Sequence, residues 1–82
     1  MSAWHLEIRS AGDGRTLCSA DVEARKVSEI EAVKSADTVG ILLKGETVAV
    51  GYPSIAQAKD GRYELYRWPI GEEKDAIVTK VS

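Results

Sequence analysis

The strongest constraint on this chain is an alternation of apolar and polar residues in two segments near its start. Apolar side chains occupy every second position at Trp4, Leu6 and Ile8, and again at Cys18, Ala20 and Val22. A period of two is typical of strands that bury one face. A three-residue loop, Gly12–Gly14, places the two apolar sets opposite each other, as Trp4–Val22, Leu6–Ala20 and Ile8–Cys18. The sequence therefore predicts a hairpin with one apolar face, and Gly14 supplies the left-handed residue that such a loop requires.

In residues 28–36 the spacing of the apolar side chains changes from that of a strand to that of a helix. Ser28 and Glu31 fit a capping box, in which each side chain satisfies a free amide at the start of a helix. Ile30 and Val33 then share one helical face, so we predict a helix over residues 28–36. A helix of this length is unstable alone, and we expect it to pack on the sheet.

A second hairpin is predicted from Thr38–Leu43 and Glu46–Tyr52, which flank a turn at Lys44-Gly45. The pairs implied by a two-residue turn are Ile41 with Val48 and Val39 with Val50. The opposite face then carries mostly small residues, listed in order as Gly40, Leu42, Thr47, Ala49 and Gly51. Because its side chains are small, such a face allows a close approach.

Residues 54–59 have two interpretations. Asp60-Gly61 is a strong hairpin signal and favours a strand here, whereas Ser54 and Gln57 fit a capping box and favour a one-turn helix that ends at Gly61. We prefer the hairpin. Strands are predicted on both interpretations at Tyr63–Trp68 and Ala76–Val81.

The predicted fold class is α+β, with residues 1–82 forming a single domain, because 82 residues can bury only one small core. The element order is ββαββ(β)β, with five to six short antiparallel strands and one short helix packed on the sheet. This order fits either two layers or a sheet that curls toward a small barrel.

The charge balance and the cysteine content restrict the classes of partner and the cellular compartment that we expect. The chain has 11 basic and 13 acidic side chains, a net charge of −2 and no basic cluster, so we expect no nucleic-acid partner. Cys18 is the only cysteine, which excludes an internal disulfide and is typical of a reducing compartment. With no long apolar run, we predict a cytoplasmic protein without membrane attachment.

The residues available for catalysis are few. His5 and Cys18 are the only histidine and cysteine, and the predicted register places them on opposite faces. The same register sets His5 opposite Asp21 with Ser19 on the diagonal, but a flat, wet sheet face supplies no oxyanion donors. One histidine and one cysteine cannot form a zinc site either. We therefore predict no enzyme activity, no metal and no cofactor.

The aromatic residues of the last hairpin are the most informative for function. Tyr63 and Leu65 are predicted to face the core, which turns Tyr66 and Trp68 to the other face, where they form either a protein-binding surface or a second small core. We predict a small interaction module of the adaptor or inhibitor type. It would bind a protein partner, or a second copy as a homodimer, through this face or an open sheet edge. The predicted partner-binding residues are Glu64, Tyr66, Arg67 and Trp68.

The alternative is a small-ligand binder. Its pocket would lie between the helix and the sheet or at a dimer seam, and its lining would include Trp4, Tyr52 and Tyr63.

Overall fold

A computed structural model describes residues 2–81, which form seven strands, one α-helix and two short 3-10 helices. The strands are β1 (Ser2–Ser10), β2 (Thr16–Ala24), β3 (Ile30–Lys34), β4 (Val39–Leu43), β5 (Glu46–Gly51), β6 (Tyr63–Pro69) and β7 (Ile77–Val81). The helix α1 spans Ile55–Asp60, and the 3-10 helices span Val27–Glu29 and Glu73–Asp75.

These strands form two antiparallel sheets, a four-stranded sheet in the order β2-β1-β6-β7 and a three-stranded sheet in the order β3-β4-β5. The predicted α+β class with antiparallel strands is confirmed. The predicted count of five to six strands is too low, and within residues 2–81 the strands do not close into a barrel.

The register of the first hairpin is confirmed, with Trp4 opposite Val22, Leu6 opposite Ala20 and Ile8 opposite Cys18. Closer to the turn the pairing shifts by one residue, because Leu17 forms a bulge on β2. The strands are therefore joined by residues 11–15 rather than by a three-residue loop, and Gly14 has the expected positive φ of 74°.

The helix predicted over residues 28–36 is wrong. The carboxylate of Glu29 accepts hydrogen bonds from the amides of Arg25 and Lys26, at 2.8 and 3.3 Å, and this contact closes the 3-10 turn in place of the Ser28 capping box. The chain then continues as β3, which pairs with β4 along its whole length and buries Ile30. A sheet ladder and a buried side chain outweigh a short helix that is marginal alone.

The hairpin predicted at residues 54–59 is also wrong, because α1 occupies this segment. The Ser54 hydroxyl accepts from the Gln57 amide at 3.1 Å, and the Gln57 side chain accepts from the Ser54 amide at 2.8 Å. Gly61 ends the helix with a φ of 70°. The Gln57 side chain also donates to Asp13 at 2.8 Å, which fixes α1 to the loop of the first hairpin.

The second hairpin has its predicted turn, where Lys44 and Gly45 both have positive φ. Its predicted pairs are wrong, because a bulge at Val48 shifts the register so that Ile41 pairs with Ala49 and Val39 with Gly51. As a result Ala49 and Gly51 face inward with Ile41, whereas Val50 faces outward.

The core lies between the two sheets. Its buried members are Leu6, Ile8, Ala24, Ile30, Val39, Ile41, Tyr63, Leu65 and Val81. The expected close approach occurs at Gly51, where a Cβ would lie 2.6 Å from the carbonyl oxygen of Leu17. The glycine thus permits β5 to contact the bulge of β2.

Candidate interaction surfaces

The outer face of the four-stranded sheet carries a polar network centred on His5. Its Nδ1 lies 2.5 Å from Asp21 on β2, and its Nε2 lies 2.8 Å from Glu7 on the same strand. Glu7 also accepts from Arg9 Nε at 2.8 Å and from the Thr16 hydroxyl at 3.1 Å. We call His5, Glu7, Arg9 and Asp21 the His5 network.

The network favours the charged forms of His5 and Glu7. Partial burial lowers the pKa of His5, but hydrogen bonds to Asp21 and Glu7 outweigh it, so the pKa is raised above 6.5. Burial also disfavours ionised Glu7, but hydrogen bonds from His5 and Arg9 lower its pKa below 4.5.

Tyr66 and Trp68, the aromatic residues of the predicted binding surface, both lie against members of the His5 network. Trp68 is only 8% exposed, and its ring centroid lies 4.8 Å from that of His5. The Arg9 guanidinium lies 4.0 Å from the ring centroid of Tyr66, and Tyr66 donates to Glu64 at 3.5 Å. The two aromatic side chains therefore already have polar partners from their own chain.

Arg67 lies on the opposite face from the other three predicted partner-binding residues. It is opposite Leu6 on β1, is 9% exposed, and donates to Thr79 at 3.3 Å. Burial lowers its pKa, and its Nε has no hydrogen-bond partner among residues 2–81. Glu64, Tyr66 and Trp68 thus share one face, and Arg67 does not contribute to it.

The catalytic combinations considered from the sequence are not assembled. Ser19 lies opposite Glu7, and both ring nitrogens of His5 contact carboxylates, so neither is directed at the Ser19 hydroxyl. Cys18 lies on the inner face of the sheet, where burial raises the pKa of its thiol.

The described part of the chain has no cluster of metal ligands. Residues 2–81 contain no group of three or more His, Cys, Asp or Glu side chains placed to hold a metal ion. None of the helices formed by these residues has the length and apolar character needed to cross a membrane.

The three residues of the predicted ligand pocket do not meet. Trp4 is opposite Pro69 and Tyr63 is opposite Ser10, which places them at opposite ends of the β1–β6 pair. Tyr52 is 76% exposed. Of these three residues, Tyr63 lines a cavity of about 350 Å³, whose other lining residues include three basic ones.

The outer face of the three-stranded sheet carries four apolar residues beside two polar ones. The apolar residues are Val33, Leu42, Val48 and Val50, which we call the valine face, and the three valines are 44%, 38% and 47% exposed. The polar residues Glu31 and Thr47 lie on either side of Leu42. Val33 and Val50 flank Gly40 on the central strand, which leaves a trough of about 200 Å³ between them. The predicted pairing placed Val48 and Val50 on one face with Ile41 and Val39, whereas the bulge at Val48 places Val50 on the opposite face.

No protein-family model, curated protein or solved structure matches this chain. The function is therefore inferred from the geometry of these surfaces.

Proposed function

We propose that the chain is a small non-catalytic interaction module, of the adaptor or inhibitor type, that binds a protein partner through the valine face. The observation that carries this proposal is the composition of that face. Antiparallel sheets with a solvated face normally direct polar residues outward. The four-stranded sheet follows this rule with the His5 network, whereas the three-stranded sheet directs Val33 and Val50 outward. The exposed valines therefore supply the apolar contacts of the proposed binding surface.

The shape of the valine face favours a helical partner. Because Gly40 has no side chain, the face has a trough between Val33 and Val50, at the end of the sheet next to the β3–β4 turn. A convex apolar helix fits a trough better than a second copy of the same concave face does. The sheet lacks a layer on this side, and a helix packed on a sheet is a common way to complete one.

The size of the face indicates a transient complex. A patch five residues long and three strands wide measures roughly 16 by 14 Å, or about 230 Å². Stable interfaces bury about 800 Å² on each partner. The valine face can therefore form the apolar centre of a small interface, and a partner helix of about ten residues matches its length.

Site-specific photo-crosslinking in an extract of the source cells tests this proposal. A benzophenone amino acid placed at position 48 should give an adduct with another protein, and mass spectrometry should map it to an amphipathic helix. The same residue at position 78 is the control, because Val78 is 45% exposed on the outer face of the other sheet. Equal adducts at both positions, adducts with a second copy only, or none at all would contradict the proposal.

A pair of matched variants adds a quantitative check. Val33→Lys with Val50→Lys should weaken binding of the identified partner at least tenfold, because charged side chains must then be desolvated in the interface. Val78→Lys should leave the affinity unchanged. Both proteins should keep their free energy of unfolding to within about 1 kcal/mol, since the changes are at exposed strand positions.

A further inference from the structure

Three basic residues from separate parts of the chain line the 350 Å³ cavity that Tyr63 also lines. Lys34 comes from the end of β3, Arg62 from the residue before β6, and Lys80 from β7. The remaining lining residues are Ala11, Gly61, Tyr63, Glu64 and Val81. We call this cavity the basic pocket, and its location differs from that of the ligand pocket predicted from the sequence.

The charges of the basic pocket are incompletely balanced. Glu64 is the only acid among its lining residues. Arg62 is paired with Asp60 at 3.0 Å, whereas Lys34 and Lys80 form no salt bridge within residues 2–81. This excess of positive charge occurs in a chain whose net charge is −2.

Lys34 is held against the pocket wall. Its Nζ donates to the carbonyl oxygen of Gly61 at 3.2 Å and lies 5.8 Å from the centroid of the Tyr63 ring. An ammonium group has three donors, so this single hydrogen bond leaves capacity for a ligand. The contact also reduces the conformational entropy that Lys34 would lose on binding.

We propose that the basic pocket binds a small molecule that carries a phosphate monoester, with Lys34 and Lys80 as the primary contacts of the phosphate. A phosphate dianion is attracted by the positive charges of the two lysines that line the cavity, and lysine binds phosphate as a point charge. The apolar lining at Ala11 and Val81 contacts the organic part of the ligand. The volume lies within the usual range of about 300–1,000 Å³ for small-molecule sites. This inference does not rest on protein binding by the valine face.

Amide chemical shifts measured during titration with inorganic phosphate and with phenyl phosphate, at constant ionic strength, test the proposal. Both probes should give saturable shifts concentrated at residues 34, 61, 62 and 80, and phenyl phosphate should bind more tightly because its ring reaches the apolar lining. Shifts that stay linear, or that concentrate outside these residues, would overturn the proposal.

Lysine variants distinguish specific binding in the basic pocket from nonspecific electrostatic attraction of the phosphate. Lys34→Gln with Lys80→Gln should raise the Kd for phenyl phosphate at least tenfold, while the new amide at position 34 retains a donor for Gly61. Lys44→Gln with Lys74→Gln removes the same charge elsewhere and should change the Kd less than twofold. An equal loss in both double variants would show nonspecific attraction and overturn the proposal. The dispersion of each amide spectrum verifies that the variants are folded.

Discussion

His5 lies on a solvent-facing sheet surface, yet both of its ring nitrogens have a carboxylate partner. Cross-strand pairing supplies Asp21, and Glu7 lies two residues along the same strand and hence on the same face. Arg9 extends the row and covers Tyr66. One histidine thereby connects the charged and aromatic side chains of this face.

The pKa of His5 can be measured directly from its ring protons during an NMR pH titration. We expect a midpoint above 6.5, because the hydrogen bonds to Asp21 and Glu7 stabilise the imidazolium. Asp21→Asn should lower that midpoint, since it removes one of the two carboxylates. A midpoint at or below 6.5 in the unmodified protein would contradict the network as described.

The pKa shifts of His5 and Glu7 define the pH range in which the network stabilises the folded protein. The contribution of His5 is complete below its unfolded pKa and is lost as the pH rises through its higher folded pKa. The contribution of Glu7 is present above its unfolded pKa and is lost as the pH falls through its lower folded pKa. The two contributions therefore overlap between roughly pH 4.5 and 6.5.

At the scale of elements, the chain contains two capping-box sequences and only one of them caps a helix. Ser54 and Gln57 form both reciprocal hydrogen bonds, while Ser28 is exposed and Glu29 caps a single 3-10 turn instead. The difference lies in the segment on the C-terminal side of each box. The segment after Ser28 pairs with β4, whereas α1 ends at Gly61 before β6 begins.

Alanine substitution should distinguish the two boxes. Ser54→Ala should lower the free energy of unfolding by about 1 kcal/mol, because the Gln57 amide loses its acceptor at the start of α1. Ser28→Ala should change it by less than about 0.5 kcal/mol, since this side chain is exposed. Urea denaturation of both variants measures the difference, and equal losses would contradict the assignment of the caps.

The two bulges change the orientation of more side chains than the capping boxes do. The bulge at Leu17 brings β2 against Gly51, and the bulge at Val48 turns Val50 out of the core. Each bulge inserts one residue and so reverses which residues face inward on one side of it. The valine face depends on the second of these bulges.

At the scale of the whole molecule, the packing of the two sheets depends on a close backbone contact. Gly51→Ala should lower the free energy of unfolding by about 1–3 kcal/mol, because its Cβ would lie 2.6 Å from the Leu17 carbonyl oxygen. Gly40→Ala is the control, since its Cβ would be 3.4 Å from the nearest atom, the Ala49 carbonyl oxygen. Thermal or urea denaturation compares them, and equal effects would show that the sheets do not pack through Gly51.

The sequence by itself determined the features that depend on local pattern. Alternation specified β1, β2 and their register, and turn residues specified the hairpin at Lys44-Gly45. Alternation placed Tyr63 and Leu65 on one face, but their assignment to the core rested on a predicted pairing with Ala56 and Ala58, which lie in α1. These properties are encoded within a few residues, because side-chain period and positive φ are set by neighbouring backbone geometry.

Only the tertiary structure decided the division into two sheets, the strand at β3 and the orientation of Val50. It also decided that Arg67 is buried and that Lys34 and Lys80 line one pocket. Each outcome depends on contacts between residues far apart in the chain, whose packing free energy exceeds the small local preference for a helix or a regular register.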